Sequence, residues 1–379
     1  MRVLVVTHSN DLSGANKSLM GIIDTLKNKV DFNVVVNSDG LLSKELEKRH
    51  VKVYHLNYDW MVGNKYENRV KDKIHLIQSF EKYWRKRFYK VPSFIKGQNY
   101  DLVYTNTSTI DYGAIIAKKF NLPHVWHIRE YGKKDFEFRS LVPLSYYKKQ
   151  LKSASKLIMV SKSLENEYKK KYRLNNTHTI YNGIKYNKKN VIEDFNFSKN
   201  TPINISIVGQ VRRSKGQDQA IKACKVLRKQ GYKIILNIVG KVDKSYIKSE
   251  IPEIENLKWV KFWGQVSDVR KIRNLNDIEL VCSKSEAFGR VTLEAMLNGL
   301  IVIGANTGGT KELIKNTKTG YLYKYNNIDD LSEKIKLVIN SSEKENIDIV
   351  QNAQKFAEEF SVENNAEKVY KLFKKIAKK

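Results

Sequence analysis

Apolar residues in this chain come in short runs, and between the runs they recur every three to four positions. Runs at 3–6, 32–36, 51–56, 102–105, 124–128, 157–160 and 179–181 are bounded by polar turns, as are later ones at 203–208, 234–239, 257–262, 278–281 and 300–304. They read as short buried strands. Segments at 14–27, 42–49, 110–120, 162–170, 218–230, 266–276, 290–298, 331–339, 347–360 and 365–378 carry the helical period. Strands alternating with helices at this spacing predict parallel βαβ units, in which ligands bind outside the carboxyl ends of strands. Residues 186–202 are polar and aperiodic and divide the chain into a first domain, 1–185, and a second, 203–360. A terminal helix follows at 361–379, with the first domain as its candidate resting place.

One segment departs from this alternation. Residues 65–96 hold ten Lys or Arg against three acids, interleaved with aromatics, and Ile77, Phe80 and Trp84 fall on one helical face. A basic amphipathic helix of this kind suits an anionic membrane surface. The alternative is a core-packed helix with a solvated basic back. The formal net charge of +29, spread over both halves, points to nucleic acid, an anionic membrane or anionic substrates. Two cysteines without metal spacing fit a reducing cytosol. The apolar run at the N-terminus is too short for a signal segment, and no run is long enough to span a bilayer. A cytoplasmic protein, at most peripheral on the inner face of the membrane, is expected.

The candidate chemistry gathers at 282–310. A polar turn there carries Glu286, Phe288-Gly289 leads into a helix with Glu294 in its first turn, and Gly308-Gly309-Thr310 follows the next strand. The N–H groups at a helix start favour an anion such as a diphosphate, and two carboxylates suit the hydroxyls of a sugar and a ribose. Upstream, the loop GQVRRSKGQD offers Gly209 as room for a ligand, with Arg212, Arg213 and Lys215 for phosphate oxygens. In the first domain Gly14 permits close approach, with Ser13 and Asn16 as polar contacts; an ordinary turn with a helix cap is the alternative. His127 ends a predicted strand and is a site candidate, against the alternative of a hydrogen-bonded core histidine.

The order of these features resembles the retaining, nucleotide-sugar-dependent glycosyltransferases of family 4, which have the GT-B fold of two Rossmann-like domains with parallel sheets facing across a cleft. The E-x(7)-E pair Glu286…Glu294 in SEAFGRVTLEAM carries the resemblance, followed by GLIVIGANTGGTKELI. VGQVRRSKG at 208–216, SASKLIMVS at 153–161, IYNG at 180–183 and the small-residue loop at 13–16 support it. The resemblance implies that Lys215 and an arginine of its loop hold the donor diphosphate. It implies that Glu286, with the backbone of Phe288 and Gly289, contacts the sugar and phosphate, and that Glu294 binds the ribose. His127 would approach the donor sugar, and the loop around Gly14 would line the acceptor side. Where the family usually has an arginine after the loop glycine this chain has Gln210, which leaves Arg212 and Arg213 as the two candidates for its role.

The implied reaction moves a hexose-type sugar to a cell-surface polysaccharide or lipid-linked acceptor, by front-face attack with retention. No D-x-D motif is present, so metal-independence is expected, with cations stabilising the leaving phosphate and no cofactor beyond the co-substrate. A GT-B epimerase or phosphorylase is the alternative enzyme. A basic nucleic-acid-binding protein is the alternative from another class, but it leaves Glu286 and Glu294 unexplained.

Overall fold

The computed structural model of the protein describes residues 1–63, 69–87, 92–185, 195, 197 and 201–377. Most of the expected linker 186–202 lies outside the described residues, as do 65–68 and 88–91 of the basic segment. The chain divides into two compact units, Met1–Lys185 with Ser361–Lys379, and Tyr186–Phe360.

The first unit contains β1 (Arg2–Thr7), β2 (Asp31–Val36), β3 (Lys52–His55), a two-residue β4 (Val62–Gly63), β5 (Leu102–Asn106), β6 (His124–Ile128), a two-residue β7 (Arg139–Ser140), β8 (Lys156–Met159) and β9 (Thr177–Thr179). Seven of them form one parallel sheet in the order β3-β2-β1-β5-β6-β8-β9, while β4 and β7 pair antiparallel in a separate ribbon. Helices cover both faces of such a sheet, which is why its strands read as unbroken apolar runs. The helix Gly14–Leu26 buries Leu19, Ile22, Ile23 and Leu26, one stripe at helical spacing. The helix Val362–Ala377 joins the same core through Ala366, Val369, Phe373 and Ile376, with Phe373 edge-on to Tyr104 at 5.3 Å.

The second unit contains β10 (Ile203–Val208), β11 (Ile234–Val239), β12 (Val260–Gly264), β13 (Ile278–Val281), β14 (Ile301–Ala305) and β15 (Tyr321–Tyr323), again all parallel. Their order is β12-β11-β10-β13-β14-β15. In both sheets the order reverses beside the first strand, at β1/β5 and at β10/β13. That reversal opens a crevice at the carboxyl ends where loops can hold a ligand.

Several expected elements shift. The strand expected at 257–262 begins at Val260, and the helix expected at 266–276 condenses to Val269–Arg273 after an Asp268 cap. Leu144–Ser153 and Lys244–Glu250 are helices that the apolar pattern did not announce, because lysines and polar residues dominate them. In the basic segment a helix runs over Arg69–Arg87. Its apolar face is not packed in the core, against the core-packed alternative: Ile77 and Phe80 are exposed, and the anchor is Tyr83, buried with its hydroxyl donating to Asp111 Oδ2 at 2.7 Å.

Candidate active site

In the second unit, loops after β10, β13 and β14 meet at the sheet's reversal point. The loop after β10 starts at Gly209, whose φ of 145° suits glycine. It is zipped to the loop after β11 by Val211 N–H donating to Lys241 and Asp243 N–H donating to Val211 (2.9 and 3.1 Å). The Gln217 side chain braces it from below, accepting from Arg212 N–H at 3.3 Å and donating to the Gln210 carbonyl at 3.2 Å. The ammonium of Lys215 is thereby delivered to Glu286 Oε1, where it forms an ion pair with both side chains mostly buried. Ser283 Oγ donates to the same oxygen at 2.7 Å. Burial pulls the Glu286 carboxyl upward, but the Lys215 ammonium, the Ser283 hydroxyl and the Arg212 charge outweigh it, and the group sits below its ordinary value.

The loop after β14 supports this arrangement at backbone level. Gly309 N–H donates to the Glu286 carbonyl at 2.7 Å, and Thr307 Oγ1 donates to the Ser283 carbonyl at 2.9 Å. A Cβ on Gly308 would stand 2.5 Å from the Glu286 carbonyl oxygen, and one on Gly309 would stand 2.4 Å from that of Phe288. The Gly308-Gly309 pair is therefore a steric requirement of the Glu286 loop. Phe288 is buried against Phe360, and Gly289, at a φ of 100°, opens the eight-residue helix Arg290–Leu297.

Glu294 lies on that helix with both oxygens engaged, Oε1 by Arg290 and Oε2 by Arg273, each at 3.2 Å. Arg273 is fully interior and forks onto Glu279 of β13, with contacts of 2.7 and 3.0 Å, and Ser206 Oγ also donates to Glu279. Burial opposes the guanidinium charge, but Glu279 and Glu294 outweigh it and raise its pKa. Arg273 thus connects a wholly buried carboxylate to one that is 29% exposed.

The expected phosphate-binding arginines part company. Arg212 places its charge on Glu286, whereas the exposed Arg213 is paired with Glu250 on the surface.

In the first unit the carboxyl edge is built differently. Arg129 follows β6 and is buried, donating to Asn106 Oδ1 at 2.6 Å, to Asn182 Oδ1, and to the Tyr104 hydroxyl at 3.4 Å. Tyr104 in turn lies 2.5 Å from His127 Nδ1. His127 is fully buried and, among the described residues, its Nε2 has no hydrogen-bond partner; burial first and Arg129 second hold the ring well below its ordinary pKa. The expected direct approach of this ring to a sugar is not what its burial favours. Its place is inside a Tyr104–Arg129 network, close to the core-histidine alternative.

His8, just after β1, is nearer the surface and is lowered to about 4, mainly by burial, with Asp11 opposing and Arg129 assisting. Glu130 is raised to about 7, chiefly by burial and against hydrogen bonds from Ser108. Asn16 is fully buried and braces the loop from within, donating to the Asp11 carbonyl at 2.9 Å and accepting from Asn106 at 3.2 Å. Ser13 and Gly14 stay at the accessible rim of that loop.

Two family models fit this chain: "Glycosyltransferase Family 4" over residues 40–188 and "Glycosyl transferases group 1" over residues 187–356. The chain is a family 4 glycosyltransferase. An uncharacterized glycosyltransferase of Methanocaldococcus jannaschii is 27% identical over 87% of this chain and 91% of its own. A capsular polysaccharide biosynthesis glycosyltransferase of Staphylococcus aureus is 26% identical over 42% of this chain and 44% of its own. Among solved structures, Anabaena HepE in complex with UDP and glucose has a TM-score of 0.74 at 21% identity, covering 99% of this chain and all of that one. The glycosyltransferase accordingly has the GT-B fold.

Of the residues singled out from its sequence, the structure gathers Gly209, Arg212, Lys215, Glu286, Phe288, Gly289 and Glu294 at one sheet edge. Arg213 is at that edge's periphery. Sequence reasoning missed Arg273 and Glu279, although a glutamate inside the apolar run of β13 was a signal, since a buried charge requires a partner. Gln217, Ser283 and His8 carried no comparable signal. Among the described residues no group of three or more His, Cys, Asp or Glu could hold a metal ion, and no helix is long and apolar enough to cross a membrane.

Proposed function

We propose that this glycosyltransferase moves a hexose-type sugar from a nucleotide-sugar to a lipid-linked or cell-surface polysaccharide acceptor, with retention and without a metal. The observation that carries this reading is the Lys215–Glu286 pair set beside the doubly held Glu294 at one switch point. In the reaction Lys215 and Arg212 take the diphosphate oxygens and stabilise the charge that builds there as the glycosidic bond breaks. The backbone of the Phe288-Gly289 turn adds N–H donors. Glu286 orients the sugar hydroxyls, and Glu294 binds the ribose. The acceptor hydroxyl attacks from the face the diphosphate leaves, and the departing phosphate takes its proton. In the first unit Ser13 and Gly14 line the acceptor side, Asn16 shapes their loop, and His127 acts as a positioning residue through Tyr104 and Arg129.

The HepE complex with UDP and glucose makes uridine diphosphate sugars the first donors to try, and the capsular relative supports a polysaccharide acceptor. Thermal stabilisation by a panel of UDP- and GDP-sugars tests the donor site. At least one should stabilise the protein, and Glu294→Gln should lose that stabilisation while Glu286→Gln mainly loses transfer. Full activity in both variants would remove the assignment. Turnover should persist in EDTA, and its loss there would end the metal-independent reading.

The same proposal places the enzyme at the inner face of an anionic membrane. Val70, Ile74, Ile77 and Phe80 form an exposed apolar stripe on the helix Arg69–Arg87, beside the exposed basic residues Lys73, Lys82 and Arg85. Flotation with phosphatidylglycerol vesicles should exceed that with neutral phosphatidylcholine vesicles, and Ile77→Ser with Phe80→Ser should reduce it. Equal partition into both would sink the membrane part alone.

A further inference from the structure

A polar cavity of about 490 Å³ opens in the second unit where β14 and β15 end, and neither Lys215 nor Glu286 lines it. Its volume lies within the ~300–1,000 Å³ of small-molecule sites. Asn306, Asn316 and Tyr325 line it, and Lys324, Asp330 and Lys334 supply its charge. Backbone bonds fix the frame. Asn306 N–H donates to the Tyr323 carbonyl at 2.8 Å, which ties the ends of the two strands together. Leu322 N–H donates to Asn316 Oδ1 at 2.9 Å, which holds that amide against β15 and leaves its Nδ2 to donate elsewhere. The residue after Asn306 is Thr307, whose hydroxyl braces Ser283, so the cavity wall and the Glu286 turn share one segment.

The charges in the cavity decide what it suits. Asp330 is already engaged: its Oδ2 accepts from Lys324 N–H at 2.6 Å, and its Oδ1 lies 3.8 Å from the Lys334 ammonium. A carboxylate used in this way is a poor cation ligand, and it offsets the charge of Lys334. The Lys324 ammonium is exposed and has no ion-pair or hydrogen-bond partner among the described residues. The lining therefore presents one uncompensated cation beside two amides and a phenol, groups that both donate and accept. Such a set fits a ligand with several hydroxyls and a negative charge. A bare phosphate would leave the amides idle, and a wholly apolar ligand would leave every polar group unmatched. The half-buried Tyr325 ring offers an apolar face of the kind a pyranose can cover. The whole-chain charge of +29 draws anionic polymers rather than neutral ones.

We propose that this cavity is a subsite for an acidic sugar unit of the acceptor polymer, a pyranose carrying a carboxylate or a phosphate. Lys324 takes the charge, and Asn306, Asn316 and Tyr325 take the hydroxyls and the ring. This rests on the glycosyltransferase reading above and makes its acceptor anionic. The test titrates the full-length protein with trigalacturonate, glucose 6-phosphate, maltotriose and inorganic phosphate, followed by calorimetry. At least one of the two acidic sugars binds, the tighter of them identifies the acid group, and maltotriose and phosphate bind more weakly than it does. Lys324→Gln weakens that binding roughly three- to tenfold, while Lys318→Gln, at an exposed lysine of the neighbouring turn, leaves it unchanged. Because Lys324 is exposed, Lys324→Gln keeps its melting temperature and its stabilisation by nucleotide-sugars. Binding of neither acidic sugar overturns the subsite, as does an equal loss in the two variants. Maltotriose or phosphate bound as tightly as the better acidic sugar overturns it too. Those outcomes leave donor stabilisation intact; failure of every nucleotide-sugar to stabilise the wild-type protein would instead strike the glycosyltransferase reading itself.

Discussion

The two parallel sheets share a reversed strand order, yet their carboxyl edges treat charge in opposite ways. The second unit sets its ionic groups in pairs: Lys215 with Glu286, Arg273 with Glu279, and Glu294 between Arg273 and Arg290. The first unit suppresses charge around the buried guanidinium of Arg129. Its three buried histidines are held below their ordinary value and Glu130 is pushed up to about 7. One edge holds fixed, paired charges; the other holds most of its titratable groups in their neutral direction. The fold provides the crevice twice, and the side chains decide what enters it.

Breaking the paired edge should give the largest effect. Arg273→Met leaves Glu279 buried without its partner and should destabilise the second unit by about 3–5 kcal/mol. Adding Glu279→Leu should recover much of that loss in a thermal melt; additive losses would contradict the pairing argument. Next is Lys215→Met, expected to cut transfer by about 10²–10³-fold, the scale of removing one preorganised donor to a developing anion. Glu286 then loses its partner while mostly buried, so the melting temperature should fall too, and initial rates at matched folded fraction are the measure.

Acid should separate the two edges. A histidine whose folded pKa lies below 6.5 binds fewer protons folded than unfolded, so stability falls as pH drops from 6.5 toward about 4. At the shift of His8 this amounts to on the order of 3 kcal/mol. Glu130, raised from 4.5 to about 7, acts the other way: its contribution is present below 4.5 and is lost as pH rises through about 7. It offsets part of the histidine effect. The depressed Glu286 in the second unit loses its contribution only as pH falls below 4.5. Hydrogen exchange at pH 5 against pH 7.5 should therefore loosen the first unit and leave the second protected. The smallest effect is expected at the rim, where Arg213→Ala removes an exposed pair worth about 0–1 kcal/mol. Arg212→Ala should reduce transfer far more, and the reverse ranking would reassign the phosphate-binding arginine.

The two edges also differed in how far they could be foreseen. Lys215, Glu286 and Glu294 were legible because a motif fixes them within short loops beside strong strands. The strands themselves were legible because burial on both faces leaves unbroken apolar runs. The meeting of the His8, Trp60 and Phe138 rings in the first unit was not: these residues lie far apart in sequence, and the ribbon that brings two of them together is two residues long on each side. His127 was placed correctly at the end of a strand, but strand alternation turned its ring into the Tyr104 side of the sheet. Arg273 was one basic residue among many, and only its distance from Glu279 gives it meaning.

The helix Val362–Ala377 packs on the first unit, after the whole of the second has intervened in the chain. During synthesis, domains fold as their residues emerge. The second unit can complete its sheet while the first still lacks Val369, Phe373 and Ile376 from its core. The Tyr104 ring, which touches both Phe373 and the His127 network, therefore waits for that helix. The unit translated first should become protease-resistant second, with its aromatic edge the slower of the two to mature.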